Sequence, residues 1–447
     1  MTNKYFLNAS YNAGFQLLGM VVSFITIPLL IKYIGLEKFG IYSLIITTIG
    51  FSGFLELGFS SGVVKFVAEE NTRNNYEELN KIISTSLIFQ IFIGIVGSLI
   101  IIFLSGSLPH ILNISTLYGN ESIWSFRITA LTIPFALIFS LLIGILNGLE
   151  LFSYSSIMIV SLSILSSLFA VIISAFGYNL VVISLVNLVL NISFVILSIS
   201  ILNKRAPQLR VRMYFYIQTW KRIFRFSSYL LVSKLSSFAF DPLVRFFISA
   251  YFNPLAVSYF VVPTKLLSSI AILFNKISEV FYPASANAYA NGKIIEFKKI
   301  FLSSYKTSII LIIPIYLMMT IFSKQILSLW IGSEFAEQAW LIMTVLSFYY
   351  MIASITTMIW NIALGHGLSK ISAICSSFAL VIIALFILPL SIIFGISGPS
   401  FAIALSSLNG IYAIFYVTRK IFNITPKSLI KELINAPLIK IILPKIN

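Results

Sequence analysis

Residues 82–105 read IISTSLIFQIFIGIVGSLIIIFLS, an apolar run without a single Asp, Glu, Lys or Arg. A hydrocarbon core about 30 Å thick is crossed by roughly 20 such residues in a helix, so this run is long enough to span a bilayer. Similar runs precede it at 8–31 and 39–64, and follow it at 123–147, 153–176 and 178–202. A second set covers 226–250, 255–281, 301–323, 338–363, 369–394 and 396–418. The run 39–64 is the least regular, because Glu56 sits inside it and its end is polar. Composition agrees: 59% of the 447 residues are hydrophobic, 10% are charged and the mean hydropathy is +1.00. A soluble domain of that composition would expose large apolar patches to water. The predicted class is all-α, a polytopic membrane protein of about twelve transmembrane helices.

Charge in the connections sets the orientation. With a cytoplasmic N-terminus, the inside segments hold nearly all the loop Lys and Arg, with clusters at 65–81, 204–225, 293–299 and 419–445. The outside connections hold only Lys32, Lys38 and Lys324. Positive residues stay on the cytoplasmic side, so both termini are expected there and the number of spans is even. The net charge of +16 is therefore a topology signal, and its partners are anionic lipid headgroups rather than nucleic acid. The first apolar run is longer than a signal-peptide core and has no small-residue cleavage site after it. One cysteine, Cys375, excludes an internal disulfide and a cysteine metal cluster, and His110 and His366 are too far apart in sequence to suggest a metal site. No metal or cofactor is expected.

The chain repeats itself. Glu78-Leu79-Asn80-Lys81-Ile82 returns as Glu296-Phe297-Lys298-Lys299-Ile300, Asn147-Gly148-Leu149 as His366-Gly367-Leu368, and Tyr42 as Tyr259, each about 218 residues later. The expected organisation is an N-terminal six-helix lobe at 1–202, a basic cytoplasmic linker at 203–225, a C-terminal six-helix lobe at 226–418 and a basic tail at 419–447. Six is even, so the two pseudo-symmetric bundles enter the membrane the same way round. In parallel repeats of this kind, substrate sites lie between the halves near the midplane. The tail, interrupted by Pro426, Pro437 and Pro444, is expected to be interfacial.

A charge at the bilayer centre costs about 2.5–3.5 kcal/mol even on insertion scales, so each one is a candidate for function. In the span 226–250, Lys234, Asp241 and Arg245 fall within about 40° on a helical wheel, and Asp241 and Arg245 are spaced to pair. The span 255–281 places Lys265, Lys276 and Glu279 on one face with Ser258 and Ser269. The first span carries an uncharged stripe that includes Asn12, Gln16 and Ser23. Lys234 lies roughly 12 Å and Lys265 roughly 15 Å from the helix ends, deeper than Arg127, Arg245, Lys276 and Lys306, which can snorkel. Basic residues outnumber acidic ones in the spans, which suits an anionic cargo such as a pyrophosphate. The candidate binding residues are therefore Lys234, Lys265, Arg245, Arg127, Gln16 and Asn12, with Asp241 and Glu56 for ion coupling or charge balance.

Several short motifs are familiar together: Pro28-Leu29-Leu30, Tyr33-Ile34-Gly35, Phe39-Gly40-Ile41-Tyr42, Leu55-Glu56-Leu57-Gly58-Phe59 and Lys65-Phe66-Val67-Ala68-Glu69. With Asp241, Val257-Ser258-Tyr259 and Phe281-Tyr282-Pro283-Ala284-Ser285, they resemble the bacterial polysaccharide repeat-unit (O-antigen) flippases of the multidrug/oligosaccharidyl-lipid/polysaccharide exporter superfamily. The resemblance covers about 8–420 and implies a V-shaped fold of two lobes. It also implies a cargo, an undecaprenyl-pyrophosphate-linked oligosaccharide moved from the inner to the outer leaflet of the bacterial cytoplasmic membrane by alternating access. Polysaccharide polymerase and chain-length proteins are the implied protein partners. The family often has Asp and Arg where this chain has Glu56 and Lys65, and Lys lacks the bidentate phosphate geometry of Arg.

Two other readings compete. A multidrug exporter of the same superfamily would prefer a less basic cavity for cationic drugs. A membrane enzyme such as a polymerase or ligase would need acidic or histidine residues on a large external loop, and the longest, 106–122, has only Glu121 and His110. The candidate sources of drive are the membrane potential and an antiported proton or sodium ion carried by Asp241 or Glu56.

Overall fold

The computed structural model describes residues 2–50, 52–56, 58–209, 214–279, 281–366 and 368–437. Nineteen α-helices follow one another with short connections, and no strand occurs among the described residues. The first are α1 (Thr2–Ile34), α2 (Leu36–Gly50), α3 (Ser52–Leu55), α4 (Phe59–Thr72), α5 (Tyr76–Leu104) and α6 (Leu108–Ile111). Then come α7 (Thr116–Gly148), α8 (Phe152–Ala175), α9 (Leu180–Arg205), α10 (Ile217–Tyr251), α11 (Pro254–Glu279) and α12 (Phe281–Ala290). The chain continues through α13 (Ile294–Ile321), α14 (Ser323–Trp330), α15 (Ser333–Gly365), α16 (Ser369–Phe394), α17 (Gly398–Ser406), α18 (Leu408–Phe422) and α19 (Pro426–Asn435). Helices satisfy their own backbone groups, which lipid cannot do, and this is why an apolar chain of this kind adopts them.

Nine helical stretches among the described residues are long and apolar enough to cross a membrane. The difference from the twelve expected runs has local causes. The run 39–64 is broken into α2, α3 and α4, with Glu56 in the break and Gly58 at a φ of 66°. The runs 369–394 and 396–418 join into one stretch, Ile374–Phe422. In α10 the side chains of 228–240 lie outside those described. Helix lengths in the two halves run parallel: α7 and α15 have 33 residues each, and α5 and α13 have 29 and 28.

The chain divides into two compact units, Met1–Val261 and Val262–Asn447. Compactness and repeat register are different criteria, which is why α10 counts with the first unit here. The first unit has a core of Phe59, Leu79, Ile82, Leu141, Leu146 and Phe194. Lipid offers no hydrophobic drive for helix association, so close packing at small residues carries it. A Cβ on Gly94 of α5 would lie 2.6 Å from Pro134 Cα of α7, and one on Gly148 would lie 2.7 Å from Val67 of α4. In the second unit α13, α15 and α18 close around Phe297, Phe301, Ile359, Ile362 and Phe422.

Candidate functional site

The polar residues inside the spans fall into separate groups. On α10, Arg245 donates from Nε to Asp241 Oδ1 at 3.0 Å, and its Nη2 lies 2.6 Å from Oδ2. Its Nη1 donates to Thr47 Oγ1 of α2 at 3.2 Å, so one guanidinium joins two helices. The Arg245 side chain is 11% exposed while that of Asp241 is 42% exposed, leaving the carboxylate the more accessible partner. Thr47 had no charge or motif to mark it in the sequence, and only the fold brings it here.

Glu56 occupies the break between α3 and α4. Its Oε1 accepts from the Ser60 backbone N–H at 3.2 Å, and its Oε2 accepts from Ser140 Oγ of α7 at 3.2 Å. The first of these meets an open donor at the start of α4, where a helix favours negative charge. Glu56 therefore ties the start of α4 to α7. Arg127 of α7 donates from Nε to Ser105 Oγ at 3.0 Å, and its guanidinium lies 5.1 Å from the Trp124 ring centre. In the second unit Lys265 is exposed on α11, and its carbonyl accepts from the Ser269 hydroxyl at 2.7 Å. The side chains of Asn12, Gln16, Lys234, Lys276 and Glu279 lie outside those described.

A further ionic group sits at the end of the first unit where α4 stops and α5 begins. Arg222 of α10 reaches Glu70 Oε1 at 3.3 Å and Glu69 Oε2 at 3.6 Å, and stacks 4.5 Å from the Phe66 ring. Glu70 is buried, and Arg73 also lies 3.6 Å from it. Lys65 lies 4.1 Å from the Phe226 ring. Sequence reading placed these residues in loops or loop edges; the Arg73–Glu70 spacing of i,i+3 is legible there, but Arg222 stands 152 positions from Glu70. Lys306 of α13, expected to snorkel, donates instead to the Ile434 and Ala436 carbonyls at 2.6 and 2.8 Å.

Comparison with known proteins adds the following. Residues 6–289 match the family described as polysaccharide biosynthesis protein. A Shigella flexneri protein assigned as an O-antigen transporter is 23% identical over 374 residues, which is 81% of this chain and 86% of that protein. Among solved structures, an inward-facing multidrug resistance MATE family transporter of the MOP superfamily superposes with a TM-score of 0.79 at 15% identity, covering 95% of this chain and 99% of that one. The lipid II flippase MurJ in an inward closed conformation superposes with a TM-score of 0.73 at 16% identity, covering 96% and 90%. At these identities the superpositions speak for the fold alone, which this chain shares with both transporters.

Proposed function

Because the chain belongs to the polysaccharide biosynthesis protein family, we propose that it is a flippase for an undecaprenyl-pyrophosphate-linked oligosaccharide repeat unit. The cargo moves from the inner to the outer leaflet of the bacterial cytoplasmic membrane by alternating access. The observation that carries this reading is the conjunction of a polysaccharide biosynthesis sequence with a fold shared by a lipid II flippase and a multidrug transporter. The similarity to an assigned O-antigen transporter over most of both chains supports the same cargo class. The basic excess in the spans suits a pyrophosphate and disfavours cationic drugs. The inside-negative potential assists outward anion movement by about 2.3 kcal/mol per charge per 100 mV.

Lys234 on α10 and Lys265 on α11 are the proposed pyrophosphate contacts, with Arg127, Asn12 and Gln16 contributing to the cargo path. Arg245 keeps two guanidinium hydrogens beyond those used by Asp241 and Thr47, so it can still meet a passing oxygen. Both termini face the cytoplasm, and the polysaccharide polymerase and chain-length proteins act on the delivered unit. The test is surface polysaccharide in cells whose only copy carries Lys234→Ala and Lys265→Ala, with membrane insertion checked in parallel. Loss of polymer with a normally inserted protein is expected. Normal polymer overturns the two lysine assignments, and normal polymer in a strain lacking the protein, with raised drug sensitivity, overturns the flippase reading itself.

A further inference from the structure

The helix α19 is pinned to α13 at several points. Lys298 Nζ lies 3.0 and 2.8 Å from the two Glu432 carboxylate oxygens, Lys306 caps the helix end through the Ile434 and Ala436 carbonyls, and the Ser303 hydroxyl donates to the Pro437 carbonyl. At the other end Thr425 and Ser428 form a reciprocal capping box. The apolar stripe of α19 is only half used by these contacts. Leu429 is buried, and Leu433 packs partly on the core around Phe297, Phe301 and Phe422. Ile430 and Ile434, about 100° further round the helix, are 61% and 68% exposed. Next to them on the wheel come Lys427 and Lys431, both exposed and neither with an acidic partner among the described residues.

The arrangement sits at the start of α13, where Lys298 and Lys299 precede the apolar run expected from 301. A helix lying in the membrane interface buries its apolar face about 5–10 Å into the headgroup boundary. An isoleucine edge bordered by lysines at this depth matches acyl chains beside phosphates. The basic excess of the tail, with Arg419 and Lys420 exposed just before it, gives the leaflet partner a sign.

We propose that α19 is a lipid-binding helix, with Ile430 and Ile434 seated in the acyl boundary and Lys427 and Lys431 holding the phosphates of anionic headgroups in the cytoplasmic leaflet. This is independent of which cargo the protein carries. The probe is the full-length protein with Ile434→Cys bearing an environment-sensitive dye, in neutral detergent micelles titrated with phosphatidylglycerol. A blue shift is expected with phosphatidylglycerol and a weaker one with phosphatidylcholine. Each lysine near an anionic surface contributes about fivefold in affinity. Lys427→Gln should therefore raise the half-saturating phosphatidylglycerol about fivefold, and Lys427→Gln with Lys431→Gln roughly 25-fold. Inorganic phosphate alone should leave the dye unchanged, because the isoleucines need acyl chains. In the unlabelled protein, phosphatidylglycerol should protect Lys427 and Lys431 from trypsin. An equal response to both lipids, a response to free phosphate, or a titration unmoved by the double substitution overturns the proposal. So does a blue shift that appears only when a second protein is added, which would assign this face to a protein partner.

Discussion

Arg245 grips Asp241 with two contacts, Nε to Oδ1 at 3.0 Å and Nη2 to Oδ2 at 2.6 Å, and spends a further hydrogen on Thr47 of α2. The pair lets a membrane helix carry a cation and an anion one turn apart with little net charge. Removing one member strands the other, which is costlier than removing both.

Asp241→Asn should thus lower thermal stability in detergent, and adding Arg245→Gln should restore part of it. A coupling of about 1–3 kcal/mol is expected from the double-mutant cycle, towards the lower end because Asp241 is partly solvated. If Asp241 instead carries a proton or sodium ion, Asp241→Asn stays inactive whatever stands at 245. Translocation in proteoliposomes with and without an imposed gradient separates the two outcomes.

Gly40 of α2 faces Pro254 so closely that a Cβ would lie 1.8 Å from the Pro254 carbonyl oxygen. Gly40→Ala must push α2 away from the start of α11, at a cost of about 1–3 kcal/mol. Gly50→Ala, with open space at its Cβ position, is the control and should change stability by less than about 0.5 kcal/mol. Equal melting temperatures for the two variants would remove the close approach as a packing determinant.

At Glu56, Gln can keep an acceptor for the Ser60 N–H and offer its amide to Ser140 Oγ, whereas Ala loses both. Glu56→Gln should therefore unfold near the native temperature, and Glu56→Ala should lose about 1–2 kcal/mol. An ion-coupling role for the carboxylate would show as a stable Glu56→Gln protein whose translocation no longer follows the ion gradient.

His366, just past the end of α15, gives a pH dependence. Ser285 Oγ lies 2.6 Å from its Nδ1, the Tyr289 ring is 4.9 Å away, and Nε2 has no hydrogen-bond partner among the described residues. Burial pushes the imidazole below its usual range. The unfolded chain then binds more protons than the native one below about pH 6.5, so stability falls as pH drops through the native value. Above that window the contribution is fully present. His366→Gln should flatten this part of the melting temperature against pH curve, and an unchanged curve would count against it.

Class and span positions were legible because each lies within one stretch of chain. The runs 82–105, 153–176 and 178–202 return as α5, α8 and α9 with small shifts at their ends. The irregularity noted at 39–64 is a real break, but its form, three helices α2, α3 and α4 with Glu56 bound by Ser140 of α7, brings in a residue 84 positions away. The pairs that hold polar residues were harder to see. The i,i+4 spacing of Asp241 and Arg245 is visible in a linear sequence, whereas Thr47 is 198 positions from Arg245 and Ile434 is 128 from Lys306. The short helices α6, α12 and α14 were also missed, because four to ten residues give too few turns for a periodic signal.

The break between α3 and α4 has a consequence for biogenesis. A translocon testing the segment from Leu36 to Thr72 meets no uninterrupted apolar helix there, and meets the charge of Glu56 in the break. The carboxylate's partner on α7 is synthesised some eighty residues later, so this segment leaves the ribosome short of one of its hydrogen bonds. Only once α7 follows can Ser140 donate to Glu56 and complete the contact. Ribosome pausing or truncation before Ser140 would therefore withhold this hydrogen bond, which links Glu56 to membrane assembly as well as to the packing of α4 on α7.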